Sequence, residues 1–546
     1  MKSPSLSRRQ FLKGSGALIV SFKFFPPSSA LAQSMVEPRT DADPTQLDSW
    51  LAIASDGTVT VFSGKVDLGT GVETALAQIV AEELDVTFNK IHMSGLDTTK
   101  AIDQGITAGS RTIERGGPQL RQAAAAARQE LLKLAAAKLN SSPEKLVVQD
   151  GVVSVTGDPK KSLTYAQLIG DKKFNVRITA TDTGWNMKVA PEVRAKDVKD
   201  YKIVGTSQKR LELPPKLTGE FVYAHDVRVP GMLHGRVVRP PTITSKPASI
   251  DESALKSIPG LVKVVQEVSF VGVVCATEWA AIKAAKALKV TWSQPATKMP
   301  ANSEEIFTYL KNTKSLRDQV TVNRGNPDAA LAQASKTYEA AYRWPFQLHG
   351  MMGPSCAVAD VGKDQATIYT GTQGSFDTRK AVADLLGFPE TSVRVLWREA
   401  SGSYGRMGAD DVAEDAALLS RAVAKPVRVQ WMRDDEHAWE PKGPAQLDLV
   451  RRRRRARQGH RLGFCRSRFS SHCLFGPRIT PARFAPNRYE TDGGWKFQRH
   501  PGWRRDVYVR KPKVRRAADP VGASRRDTAS HGLSARAGRH RSLLRQ

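Results

Sequence analysis

The sequence predicts a mixed α+β protein in which short strands and helices are interleaved. Three observations carry that expectation. Residues 51–84 read as strand, glycine turn and helix; residues 336–450 alternate strands with helices; and 546 residues at 40% apolar and 25% charged content supply more than one core.

Taken in order, a polar linker (33–46) precedes a strand pair over Leu51–Ser63, turning at Asp56-Gly57, with Val59 and Val61 alternating against Thr58 and Thr60. The turn Gly69-Thr70-Gly71 then opens a helix over Thr74–Leu84. There Leu76, Ile79, Val80 and Leu84 share one face, and Glu82 and Glu83 are expected to point outward. Pro118 opens a second helix running to Leu139, since proline in the first turn loses no hydrogen bond, and its alanines predict close packing. Residues 211–292, bounded by prolines and polar linkers, read as a separate unit with a strand at Leu261–Val265 and a helix at Ala280–Leu288. Further on, strands are expected at Ala366–Thr370, Val393–Trp397 and Val427–Met432, with helices at Thr378–Leu386 and Asp410–Val423. The last of these presents Val412, Ala416, Leu419 and Val423 on one apolar face.

The net charge of +29 suggests an anionic partner until it is located. Residues 1–32 carry five basic and no acidic residues; residues 451–546 carry 27 basic and five acidic ones. The intervening body, with 51 basic and 49 acidic residues, is nearly neutral. No folded basic face with stacking aromatics is expected there, so nucleic acid is not the expected partner.

Ser7-Arg8-Arg9-Gln10-Phe11-Leu12-Lys13, a short apolar stretch and Ala30-Leu31-Ala32 resemble a twin-arginine export signal with its cleavage site. The expectation is a periplasmic protein, carried folded by the twin-arginine export machinery. Cys275, Cys356, Cys465 and Cys473 show neither zinc nor iron–sulfur spacing, so any such cluster belongs on another chain.

Three glycine-bearing segments are candidates for chemistry. Gly69-Thr70-Gly71 lies between strand and helix, where the backbone approaches a ligand and the amides face an anion; an ordinary tight turn is the alternative. Gln373-Gly374 ends a strand, where a neutral amide reads a ligand or satisfies local backbone. Gly402-Ser403-Tyr404-Gly405 precedes a helix capped by Asp410 or Asp411, whose carboxylates oppose phosphate and favour a backbone wall around a cofactor.

Together with GKVDLGTGVETALAQIVAEELDV, TAGSRTIERGG, LPPKLTGEFVYAHDVRVPGMLHGRVVRPP, HGMMGPSCAVADV, IYTGTQGSFDTRKAVADLLGFP and SGSYGRMGADDVAEDAALLSRAV, these segments resemble the molybdopterin-binding subunit of the xanthine dehydrogenase/aldehyde oxidase family. The resemblance is strongest to its isoquinoline 1-oxidoreductase and nicotinate dehydrogenase branch. It runs from about Leu47 to Val450. It implies molybdopterin-binding segments at 47–205 and 336–450 around an a/b hammerhead domain at 211–292. It also implies that Gly69, Thr70 and Gly71 stand for the family's Gly-Gln-Gly contact, with threonine in place of glutamine. Gln373, with Gly374, corresponds to the glutamine that hydrogen-bonds an oxygen ligand of molybdenum, and Gly402, Ser403, Tyr404 and Gly405 to the glycine–aromatic–glycine loop beside the metal.

The implied chemistry is hydroxylation of an electron-poor carbon in an N-heteroaromatic ring or an aldehyde. Water supplies the oxygen and a carboxylate takes the proton. The implied cofactor is molybdenum-molybdopterin, in the cytosine dinucleotide form. The small-molecule substrate's electrons pass to a separate small [2Fe-2S] subunit, with a cytochrome c as a further acceptor.

The resemblance stops at Val450. Residues 451–546 contain 24 Arg but three Lys and a single Ile, a composition expected of a GC-rich gene read in a shifted frame. The expectation is a disordered Arg-rich tail and a chain without the family's base glutamate, inactive because truncated. The alternatives are a non-catalytic binding protein made of the surviving domains and a basic nucleic-acid arm.

Overall fold

The structure is a computed structural model that describes residues 42–242, 244–295, 300–315 and 325–440, with strands Ala445–Arg452 and Gly463–Ser471. The export signal expected at 1–32 and the remainder of 451–546 lie outside the described residues.

The first core grows from strands β1 (Leu51–Ile53) and β2 (Val59–Phe62), antiparallel with Leu51 opposite Val61, as the Asp-Gly turn predicts. Helix α1 (Val72–Leu84) carries the chain to β3 (Ile91–Ser94), which pairs in parallel with β2. This parallel return needs a crossover, and α1 supplies it. Helix α2 (Gly117–Leu139) follows a π-turn at Thr112–Gly116, and its Ala123–Ala127 run is buried in this core.

Glu82 and Glu83 correct the expectation of an outward face: each is 1% exposed. The segment 196–204 covers that side of α1, and its amides need acceptors. Glu82 Oε2 accepts from the N–H groups of Lys202, Ile203 and Val204 at 2.8, 2.6 and 3.0 Å, while Oε1 meets Lys196 Nζ at 2.9 Å. Glu83 takes Arg121 Nε at 2.7 Å and the Lys196 amide at 3.0 Å.

The second core is built on a seven-stranded sheet. Its strands are β4 (Leu233–Val237), β5 (Leu261–Glu267), β6 (Phe270–Cys275), β8 (Cys356–Val361), β9 (Ala366–Thr370), β10 (Val393–Trp397) and β11 (Val427–Gln430), in the order β5-β6-β4-β11-β8-β9-β10. Strands from residues 211–292 thus share one sheet with strands from 336–450, joined where β4 pairs in parallel with β11, Gly235 opposite Val429. Every residue of β6 is buried, because both sheet faces are covered. Val271, Val273 and Cys275 face helix α3 (Glu278–Ala287); Phe270 and Val274 join the core of helices α4 (Ser375–Leu386) and α5 (Asp411–Val423).

Strands β9 and β10 are parallel, and both end at the same edge of the layer. The loops leaving them, 371–374 and 398–408, therefore emerge side by side, where open sheets of this kind place ligand crevices. A last sheet pairs β7 (Thr337–Trp344) with β12 (Ala445–Arg452) and β12 with β13 (Gly463–Ser471), all antiparallel. Strand β13 lies in the segment expected to be disordered. Its extended backbone finds a ladder partner in β12, which corrects that expectation for residues 463–471.

Candidate functional site

Gly371 is the contact point of the two loops. A Cβ there would lie 2.5 Å from Ala400 Cβ and 3.0 Å from the Ala400 amide, so only glycine lets the loops meet. Two residues on, buried Gln373 ties three segments together. Its backbone N–H donates to the Met407 carbonyl at 2.9 Å, Oε1 accepts from Ser403 Oγ at 2.7 Å, and Nε2 donates to the Thr107 carbonyl at 2.8 Å. The Thr107 N–H returns a bond to the Gln373 carbonyl at 2.9 Å. Gln373 thus satisfies backbone brought in from distant segments, and its amide keeps one N–H and one lone pair.

The loop 402–405 is folded against ordinary preference. Gly402, Tyr404 and Gly405 have φ of 94°, 54° and 104°, a left-handed region that tyrosine enters only at a cost. The N–H groups of Ser403, Tyr404 and Gly405 make no hydrogen bond to a described residue, and the Tyr404 side chain is exposed. Successive amides in such a turn form a concave cradle for an electronegative group. Arg406 holds the cradle from behind: fully buried, it meets Glu436 Oε2 at 2.9 Å, Asp411 Oδ1 at 3.0 Å and the Ala409 carbonyl. Asp410 makes no side-chain cap on α5 and instead accepts from Thr370 Oγ1 at 2.7 Å; Asp411 is committed to Arg406. The expected carboxylate cap is thus corrected.

The Gly69–Gly71 turn differs more. Asp67 Oδ1 accepts from the amides of Gly69, Thr70 and Gly71 at 2.8, 2.9 and 3.2 Å, and Oδ2 from that of Glu73 at 3.0 Å. The anion at this helix start is therefore the protein's own carboxylate, which corrects the reading of these amides as free for a ligand. The turn still abuts the second loop, because a Cβ on Gly69 would lie 3.5 Å from Glu399 Oε1. Glu399 pairs with Lys216 at 2.7 and 2.8 Å. No hydrogen bond joins Gly69–Gly71 to Gln373 or 402–405 among the described residues.

Glu73 lines a cavity of about 20 Å³ with Lys65, Asp67 and Trp397, room for about one water. Burial pushes its carboxyl up to about 7, reinforced by Asp67, Glu212 and Glu399. Burial likewise raises Glu399, against the pull of Lys216, and lowers Lys65 to about 8. The raised Glu73 value means that the folded state holds a proton the unfolded chain has released. Stability from this group is complete below the ordinary value of 4.5 and is lost as pH rises to about 7. Glu73→Gln is expected to be more stable than the parent by about 2 kcal/mol at pH 8, discounted for partial exposure, and nearly equal to it below pH 4. Urea unfolding at the two pH values checks this; a difference that does not change with pH refutes it.

Thr107, Arg406 and Glu436 escaped sequence reading, since nothing in their spacing marks a joint, whether across 266 residues as for Thr107 and Gln373 or across 30 as for Arg406 and Glu436. The arrangement as a whole fits a polar, flat cofactor gripped by backbone: a cradle of free amides, a spare glutamine N–H and glycines where a Cβ would intrude.

Residues 24–215 and residues 310–448 each match the family model of a molybdopterin cofactor-binding domain. The chain carries molybdopterin-binding domains of the xanthine dehydrogenase/aldehyde oxidase family. That family is one of molybdenum-containing oxidoreductases. A nicotinate dehydrogenase subunit of Pseudomonas putida is 40% identical over 449 residues, 81% of this chain and 36% of that protein. The beta subunit of isoquinoline 1-oxidoreductase from Brevundimonas diminuta is 27% identical over 475 residues, covering 79% of this chain and 60% of its own length. Among solved structures, quinoline 2-oxidoreductase of Pseudomonas putida is 20% identical with a TM-score of 0.40, covering 48% of this chain and 39% of that one. The chain thus spans under two thirds of these relatives.

The two molybdopterin-binding segments meet at the site. Besides Gln373 with Thr107, Arg394 crosses between them to Asp97 at 2.6 Å, and Arg379 Nη1 donates to the Thr98 carbonyl at 3.3 Å. Each segment contributes one side of the joint.

Proposed function

We propose that this chain is the molybdopterin-binding large subunit of a molybdenum hydroxylase acting on an N-heteroaromatic compound or an aldehyde. The observation that carries the reading is the Thr107–Gln373–Ser403 joint between the two cofactor-domain segments, set beside free amides at 403–405. The names of the nicotinate and isoquinoline relatives support an N-heteroaromatic substrate.

In this reading the Ser403–Gly405 amides and the spare Gln373 N–H hold polar atoms of the cofactor. Gly374 and Gly402 let backbone approach it, and Gly69, Thr70 and Gly71 wall one side. Bound molybdopterin supplies the redox centre. In the net reaction a substrate C–H and water become C–OH with release of two protons and two electrons. The electrons leave through a [2Fe-2S] partner to a cytochrome c. The cofactor is the cytosine dinucleotide form, and the folded chain is exported to the periplasm by the twin-arginine route. The Arg-rich text after Val450 is a shifted frame.

Metal analysis and pterin absorption of the purified chain test the core of this reading. One molybdenum and one pterin per chain are expected; a stable protein with neither would replace it with a non-catalytic binding function. Resequencing the codons for residues 447–452 tests the frame, and an intact frame there refutes the shift.

A further inference from the structure

We infer that His349, set with one ring nitrogen against the buried carboxylate of Glu440, is a cofactor-contacting residue whose Nε2 hydrogen-bonds a polar edge of the pterin at the Gly402–Gly405 loop. This rests on the cofactor reading above and gives a role to the histidine of the HGMMGPSCAVADV segment, to which none has been assigned so far.

The geometry begins with Glu440, which follows helix α6 (Arg433–Trp439) and is completely buried. Its Oε1 accepts the backbone N–H of His349 at 2.7 Å and lies 3.4 Å from the ring Nδ1. Its Oε2 and the His349 Nδ1 are both buried, and neither has a hydrogen-bond partner among the described residues. One ring nitrogen is therefore turned to the protein interior.

The other edge of the ring lies on the cradle. A Cβ on Gly405 would be 3.3 Å from both Cδ2 and Nε2 of His349, so the absence of a side chain at Gly405 is what admits the imidazole. The ring is 29% exposed, and Nε2 has no hydrogen-bond partner among the described residues. With Nδ1 buried 3.4 Å from the Glu440 carboxylate, the second ring nitrogen is the one left for a ligand. Here the second nitrogen opens beside the unsatisfied amides of Ser403, Tyr404 and Gly405. A purely structural tether of the 345–350 segment needs only the backbone bond from His349 to Glu440, and that bond exists without the ring.

Three variants decide the matter, read by molybdenum per chain, released pterin fluorescence and the melting temperature of the cofactor-free protein. His349→Phe keeps the packing and is expected to lower molybdenum and pterin content about tenfold or more, with the cofactor-free melting temperature unchanged. His349→Gln places an amide near the Nε2 position and is expected to restore most of the content. Glu440→Gln, which removes the charge beside Nδ1, lowers content in the parent but has no further effect on content in the His349→Gln background, where no ring faces it. A fully loaded His349→Phe protein overturns the inference, as does a His349→Gln protein as empty as the phenylalanine variant. A parent chain that itself lacks molybdenum and pterin overturns the cofactor reading and this inference with it.

Discussion

Arg406→Met is expected to destabilise the protein by about 3–5 kcal/mol and to empty the cofactor site. The guanidinium is fully buried, where its charge is costly; burial alone lowers its pKa, but Asp411 and Glu436 more than offset this and keep it charged. Methionine fills the space and leaves Glu436, 1% exposed, without its cation. Glu436 Oε1 also accepts the Ser355 amide at 2.6 Å, so the disturbance reaches the strand leading into β8. The three directions served at once, to Glu436, Asp411 and the Ala409 carbonyl, require a planar fork. Arg406→Lys is therefore expected to recover little. Urea unfolding midpoints together with molybdenum content measure both effects; a methionine variant within about 1 kcal/mol of the parent would show that the buried pair is not what holds the loop.

Arg406 also shows where sequence reading stops. Elements with a regular apolar pattern were legible almost to the residue: Ala366–Thr370, buried throughout, and Val393–Trp397 are strands as expected, and the helix expected at Asp410–Val423 starts one residue later. Their patterns report burial directly, because apolar residues repeat at the strand and helix periods wherever a face is packed. Glu82 and Glu83 defeated the same logic, since the segment that covers them is an irregular stretch about 115 residues downstream with no period of its own. A charged residue on the polar side of a helix looks solvated until something wraps it.

Within the site, the residue types were legible and their partners were not. Gln373, Ser403 and the glycines stood out as chemistry-bearing, and the structure does bring Gln373 and Ser403 together. Thr107, 266 residues from Gln373, and Glu440, 91 residues from His349, had no local signature. The amides of the Gly69–Gly71 turn are ambiguous in sequence for a different reason. A helix start with free amides looks the same in sequence whether a ligand or a nearby side chain will occupy it.

Asp67 is where that distinction has its largest consequence. Asp67→Ala strips the acceptor from four amides and is expected to cost about 2–4 kcal/mol, since bonds to a carboxylate are each worth more than neutral ones. Relief of repulsion works in the opposite direction: Asp67 is one of the charges that raise Glu73, so its removal lowers the Glu73 pKa from about 7 toward the ordinary range. The bonds win, because four are lost and only one charge contact is relieved. Asp67→Asn separates the two effects. Its Oδ1 still accepts from Gly69, Thr70 and Gly71, its Nδ2 cannot accept from Glu73, and the negative charge is gone. The asparagine variant should therefore lose less stability than alanine at every pH, and its stability should fall less than the parent's between pH 4.5 and 7. Unfolding free energies of parent, Asp67→Asn and Asp67→Asn/Glu73→Gln across that range measure the coupling. If the pH slope of the asparagine variant equals that of the parent, Asp67 does not act on Glu73. The four amides would then be its entire role.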